Sequence, residues 1–394
     1  MLSYQTYFSL FILSLGGSPQ TIGLVASTAS AATLFVAPVA GYLADHKGRV
    51  KIIAYAFYIK SISYFIFFLS RDWIWLAVGS FIQGLSDFYQ SAQSAIIADS
   101  LPPGNRALGY AILNAFPQIV ANLGPIVGAY FITHYDMNLG MRYLFVISLV
   151  MQLIIGFGRH KFLKETLKSV AQESRSILSL IKESYKSSWE VIKWTPKSLA
   201  IFAVVEVISA FCGAMVGPFW VVYGKNVINL TISDWSLILL IEGYVGIPLL
   251  IIAGVIVDKL GSRRIMILML FLSLFPVFFF IYCETFVQTL AVFLCLTVII
   301  SFLTPASSAF VADTVPRSLR ARVSSAYGRG EISIRNRPFA AAYVLTIPVM
   351  LGSVAGGLIY TLNPTFPWLI EVILLSVCLV LSIFFVKEPE TPEI

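Results

Sequence analysis

The stretch Gly41-Tyr-Leu-Ala-Asp45-His-Lys-Gly48-Arg49 occurs a second time, in looser form, as Gly254-Val-Ile-Val-Asp258-Lys-Leu-Gly261-Ser-Arg263, 213 residues later. The repeat extends outward in both directions. Ala98-Asp99-Ser-Leu-Pro102, followed by Arg106, pairs with Ala312-Asp313-Thr-Val-Pro316, followed by Arg320, at an offset of 214. Leu123-Gly124-Pro-Ile-Val-Gly128 pairs with Leu351-Gly352-Ser-Val-Ala-Gly356 at an offset of 228, and Phe162-Leu-Lys-Glu165 echoes Phe385-Val-Lys-Glu388. Four matches in the same order mark an internal duplication.

Between these matches the chain is almost continuously apolar. Of 394 residues, 58% are hydrophobic and only 12% are charged, against about 25% charged in a soluble domain. A soluble enzyme, a disordered chain and a nucleic-acid binder are poor fits. Apolar spans run over 1–16, 20–44, 51–69, 73–97, 107–133, 142–158, 199–223, 235–257, 264–282, 286–311, 338–360 and 366–386. They are too long and too continuous for the strands of a barrel, which leaves helices. The spacing predicts an all-α membrane protein: a six-helix bundle over 1–158, a polar linker over 159–198, a second bundle over 199–387 and a tail over 388–394.

Two irregularities follow from the offsets. About 14 extra residues fall between Arg320 and Gly352, and the segment 328–337 reads as a basic cytoplasmic insertion. The seventh span begins near Lys197, so residues 1–16 read as the outer half of a first helix, incomplete at its start.

The net charge of +7 has a topological explanation. Assigning loops alternately to two sides places 23 of the 27 basic residues on one of them, including nine between Arg159 and Lys197. By the positive-inside rule that side is cytoplasmic, so the linker and the C-terminus are expected there. Residues Ile177, Leu178, Leu180, Ile181 and Tyr185 give the linker an amphipathic stripe. The four cysteines form no CxxC pair, the three histidines have no ligand spacing, and no GxxxxGK[ST] loop occurs. Neither a metal nor another cofactor is expected. The apolar start lacks a basic flank, so it does not read as a signal peptide.

Several residues are candidates for mechanism on their own terms. Gln83, Asp87, Gln90 and Ser94 recur at i, i+4, i+7 and i+11, one face of the fourth span. Adding 214 gives Thr297, Ser301, Thr304 and Ser308, all polar, in the tenth span. Asn114, Gln118 and Asn122 form a similar stripe in the fifth. Asp87, Glu206 and Glu242 are acids deep in apolar spans, where a charge is expensive and by default functional. They are candidate proton-coupling residues. Lys60, in the third span, is an alternative structural partner for Asp87. Gly124, Gly128, Gly352 and Gly356 have the spacing of close helix approach.

The loop Gly41-Tyr-Leu-Ala-Asp45-His-Lys-Gly48-Arg49, the two six-helix halves and the basic linker together resemble the major facilitator superfamily. That resemblance implies a secondary transporter whose halves rock about a central site, with the fourth and tenth helices lining it. It implies a cytoplasmic gate at Gly41, Asp45, Gly48, Arg49, Asp99 and Arg106, and again at Gly254, Asp258, Gly261 and Arg263. The arginine that many members carry in the fourth helix is replaced by Ser80. The antiporter signature of the fifth helix survives only as Gly124-Pro125-x-x-Gly128-Ala129, which leans toward export, and the sugar-porter signature after the sixth is missing. The expected function is proton-coupled export of small or amphipathic molecules by a multi-pass monomer of the cell membrane, acting on a small-molecule substrate with protons or another ion and no nucleic acid. A metabolite importer or uniporter on the same fold, and a non-transporting membrane sensor, remain open alternatives.

The topology is directly testable. In a cysteine-free background, single cysteines at Ser174 and Thr391 should resist an impermeant thiol reagent in sealed cells. Cysteines at Asn138 and Asn229 should react. Labelling of the first pair would overturn the assignment of sides.

Overall fold

The computed structural model describes residues 2–100, 113, 117–166, 195–316, 323, 327, 332–335 and 343–387; within these, the side chains of 2, 37–47, 91, 94, 95, 98 and 343 are not described. Among the described residues all regular structure is helical: α1 Leu2–Gln5, α2 Phe8–Ser14, α3 Pro19–Lys47, α4 Arg49–Leu69, α5 Trp73–Leu85, α6 Tyr89–Ser100, α7 Gly124–Phe162, α8 Lys197–Val216, α9 Trp220–Asn226, α10 Ile232–Leu260, α11 Ser262–Phe280, α12 Phe286–Thr314, α13 Tyr343–Leu362 and α14 Phe366–Phe385. Eight helical stretches among them are long and apolar enough to cross a membrane. Large apolar side chains on their outer faces stay uncovered, such as Ile251 and Val287 at 70% exposure. Patches of that kind need a lipid or protein neighbour.

The chain divides into two compact units, Met1–Gly17 with Thr28–Ser187, and Ser18–Ser27 with Ser188–Ile394. In the first, α4 is central and packs on α5, α6 and α7. In the second, α8 packs on α13 and α14, and α12 packs on α10 and α11.

The duplication is visible in the backbone. Gly48 and Gly261 precede α4 and α11 with almost the same left-handed conformation, φ 87° and ψ 129° against φ 91° and ψ 138°. Residues with a Cβ rarely adopt that region, which is why the repeated loop keeps glycine. The first span matches the seventh at an offset of 212. The break before α2 at Phe8 corresponds to the 3-10 turn Gly217–Phe219 before α9 at Trp220, and α2 and α9 end at Ser14 and Asn226. Glycine packing repeats as well. A Cβ on Gly128 would lie 2.3 Å from the Ser3 carbonyl oxygen, and one on Gly356 would lie 2.1 Å from that of Met215. Each glycine therefore lets two helix backbones touch.

An aromatic layer closes each unit. In the first, Tyr4, Phe8, Phe67 and Phe145 meet at centroid separations of 5.1 to 6.5 Å. In the second, Trp220, Tyr223, Phe280 and Trp368 meet at 4.4 to 5.5 Å. Edge-on and tilted aromatic pairs add about 0.5–1.5 kcal/mol each beyond area burial.

Within α7 the chain turns at Asp136, whose φ of 67° and ψ of 175° break the helix into two. The Asp136 carboxylate accepts from the Asn138 and Leu139 backbone N–H groups at 2.7 and 3.0 Å, capping the second helix. That backbone region favours glycine, and holding another residue there costs about 1–3 kcal/mol. Asp136→Ala loses the cap and keeps the strain, so its thermal midpoint in detergent should fall. Asp136→Gly loses the cap but relieves the strain, so it should fall less. The reverse order of the two midpoints would show that strain at this backbone position does not decide the loss.

Candidate functional site

In the first unit the fourth helix is interrupted where the acid sits. A 3-10 turn, Ser86–Phe88, separates α5 from α6, so the polar face drawn through 83, 87, 90 and 94 does not run along one uninterrupted α-helix. Lys60, buried on α4, places its Nζ 3.6 Å from an Asp87 carboxylate oxygen and 5.8 Å from the Tyr89 ring centroid. The alternative partner named from the sequence is thus the observed one. Gln83 donates through Nε2 to the Tyr4 hydroxyl at 2.8 Å and the Tyr64 hydroxyl at 3.4 Å. Gln90 is half-buried. Gln118 donates to the Asn122 carbonyl at 2.9 Å. The side chain of Ser94 and all of Asn114 lie outside the described residues.

The loop residues form a charge cluster on the same unit. Arg49 donates to the Asp99 carboxylate and, at 3.0 Å, to the Thr166 hydroxyl. Glu165 accepts from the Val50 backbone N–H at 3.0 Å. That bond places a carboxylate at the positive N-terminus of α4. Gly41 and Asp45 fall on α3, with the Asp45 side chain outside the described residues, as is Arg106. In the second unit Arg263 donates to the carbonyls of Val386 and Ile383 at 2.5 and 2.7 Å, tying the loop to the end of α14. Asp258 is exposed, and Gly254 has open space around it.

The second unit departs most from expectation. The segment 328–337 reads as cytoplasmic, yet residues 332–335 are non-helical and lie inside the bundle. Ile332, Ser333 and Ile334 are all buried. The Ser333 backbone N–H donates to the Ser209 hydroxyl at 3.3 Å. Ser209 is twelve residues into α8, about 18 Å along its axis. Arg335 pairs with Glu242 through both terminal nitrogens, with Nη2 2.7 Å from Oε1. Its guanidinium lies 4.2 Å from the Phe293 ring centroid. Glu242 is ten residues into α10, about 15 Å from that helix's start. Both measures put residues 332–335 at a depth that matches the middle of a hydrocarbon layer about 30 Å thick. Its hydrophilic composition hid this, because a window average reads three arginines and a glutamate as loop.

Thr297 binds its own helix, donating to the Phe293 carbonyl at 2.8 Å; Ser301 is buried, and Thr304 and Ser308 are half-buried. Glu206 is buried in α8. Sequence reasoning missed two groups, Arg335 and Glu371. Glu371 on α14 is fully buried near Cys212, with both oxygens lacking a hydrogen-bond partner among the described residues. An acid inside the apolar run 366–385 was a usable signal. Nothing in the sequence tied Arg335 to Glu242.

The Major Facilitator Superfamily model matches residues 1–330, and the chain belongs to that family. It is a multi-pass membrane protein with a transporter fold. It is 24% identical to Multidrug resistance protein 2 of Bacillus subtilis (strain 168) over 91% of this chain and 84% of that one. It is 30% identical to Major facilitator superfamily domain-containing protein 10 of Mus musculus over 27% of this chain and 24% of that protein's length. A solved mutant of the nucleoside transporter NupG shares the fold with a TM-score of 0.70 at 16% identity, covering 98% of this chain and 96% of that one.

Gly213 is what admits the inserted segment, since a Cβ there would lie 2.5 Å from the Ser333 Oγ. Overpacking of this kind typically destabilises by about 1–3 kcal/mol. Gly213→Ala should lower the thermal midpoint, and Ser333→Gly on top of it should restore most of the loss. Additive losses in the double variant would mean the two residues do not meet.

Proposed function

We propose that the protein is a secondary active transporter that exports small or amphipathic molecules by alternating access, driven by protons. The observation that carries the reading is the Asp87–Lys60 pair, an acid and a base within 3.6 Å at a break in a membrane-spanning helix. Ionisable groups at membrane depth are expensive and mark ion pathways. Protonating Asp87 would leave Lys60 without its counter-charge. The pair thus has two arrangements whose balance the proton sets. Glu206 and Glu242 are the further candidates of the second half. The sequence likeness to a multidrug resistance protein over most of both chains favours export.

In this reading the protein is a monomer in the cell membrane, with the linker and tail cytoplasmic. Asp45, Arg49 and Asp99 belong to a gate that closes the cytoplasmic side, with Asp258 and Arg263 as its second-half counterparts. A contact worth 1–2 kcal/mol in one state alone shifts a two-state ratio by roughly 5–30-fold.

The test uses purified protein in proteoliposomes with an imposed proton gradient and two amphipathic dyes, cationic ethidium and anionic carboxyfluorescein. Asp87→Asn should abolish gradient-driven accumulation while counterflow exchange persists. Should the stranded lysine prevent folding, Lys60→Met with Asp87→Asn restores the charge balance. Recovery of expression without coupling supports Asp87 as the proton site. Full coupled transport by the double variant would reject it.

A further inference from the structure

We propose that Arg335, Ser333 and Trp220 form a binding site inside the second unit for the carboxylate of an amphipathic organic anion, and that Glu242 occupies the guanidinium until the ligand displaces it. The inference rests on the transporter reading and gives its substrate a chemical class.

Three observations converge on the site. The first is a surplus of donors. The Ser333 hydroxyl and the Trp220 indole nitrogen are both buried and have no hydrogen-bond partner among the described residues. Buried polar groups are nearly always bonded, and each exception calls for a missing partner. An indole N–H can only donate, a guanidinium can only donate, and a hydroxyl does so readily. The missing partner is an acceptor, and a carboxylate is the strongest acceptor that matches a guanidinium fork.

The second observation is the shape of the wall. Arg335 lies over the face of Phe293. Trp220 meets the same ring edge-on at 5.4 Å, and Trp235 meets it at 5.2 Å. Behind Trp220 stand Phe280 and Trp368. A charged head on an aromatic or aliphatic body satisfies both parts of this lining.

The third is the backbone. Residues 332–335 are non-helical, and 332–334 are buried against the middle of α8. Such backbone is tolerated in membranes only when buried in protein or facing a water-filled site, and it is where transporters present peptide groups to ligands. The Glu242–Arg335 pair adds the means of exchange. A buried ion pair gains little over its desolvation penalty, whereas stranding one partner is severely unfavourable. Replacing the Glu242 carboxylate with a ligand carboxylate keeps the guanidinium paired. The exchanged glutamate is then neutralised by a proton or turns to water.

The test is binding to the purified full chain in detergent, read as a shift in thermal midpoint. Indole-3-acetate, its neutral isostere indole-3-acetamide and the cation tryptamine are compared, with decanoate and decanamide as the lipid-like pair. At least one carboxylate should raise the midpoint when its amide does not. A response from decanoate alone assigns the site to lipid-derived tails, and one from indole-3-acetate assigns it to aromatic acids. Glu242→Gln removes the internal competitor and should tighten carboxylate binding on the order of tenfold. Arg335→Gln should eliminate the response. If either single variant fails to fold, the neutral double variant should fold and also show no response. Equal shifts from carboxylate and amide overturn the proposal. So does a carboxylate response that survives Arg335→Gln, or one that is unchanged or weakened by Glu242→Gln. Binding requires neither a gradient nor vesicles, so its failure leaves proton-driven export standing, and failed export leaves the site standing.

Discussion

A peptide group inside hydrocarbon has no water to bond, so every N–H and C=O at membrane depth must find a partner within the protein. This constraint makes the chain a set of helices and makes each interruption informative. The described residues contain interruptions at 6–7, at Ser86–Phe88 and at Gly217–Phe219, and a non-helical stretch at 332–335. The first and third are the same feature in two copies. The other two each lie beside an ion pair.

That coincidence has an electrostatic cause. A charge in lipid is retained where it is paired and sheltered, and helix breaks supply extra polar backbone to shelter it. Lys60 reaches Asp87 from the straight helix α4 across to a turn. Glu242 does the converse, holding an arginine that arrives on the broken segment. The two units thus share a principle while differing in whether the acid or the base sits at the break. Glu371 is the counter-example, a buried acid with no hydrogen-bond partner among the described residues.

The duplication explains the rest of the scaffold. Gly48 and Gly261 start helices in matching left-handed conformations. Gly128 and Gly356 bring helix backbones together at equivalent places. The aromatic layer recurs with Phe8 replaced by Trp220 and Phe145 by Trp368. These substitutions keep the layer apolar but add indole nitrogens to the second unit alone. The second unit's aromatic layer therefore carries indole donors that the first unit's layer lacks.

Hydrophobic runs and the repeated glycines were enough to read an all-helical membrane fold, because lipid burial is additive along the chain and acts over about 20 residues at a time. Asp87, Glu206 and Glu242 were legible for the same reason, as charges standing out in apolar windows. Their partners were not legible. Whether Asp87 meets Lys60 depends on how α4 packs against the Ser86–Phe88 turn, a separation of 27 residues that no local pattern encodes. Arg335 was read as part of a basic insertion outside the helices, because three arginines and a glutamate average to a soluble loop. Only the packing around Ser209, Gly213 and Phe293 makes room for it. Pairing energies and close approach are properties of three-dimensional neighbours, so the site's chemistry was settled by tertiary structure, while the scaffold that carries it was written in the hydropathy of the chain.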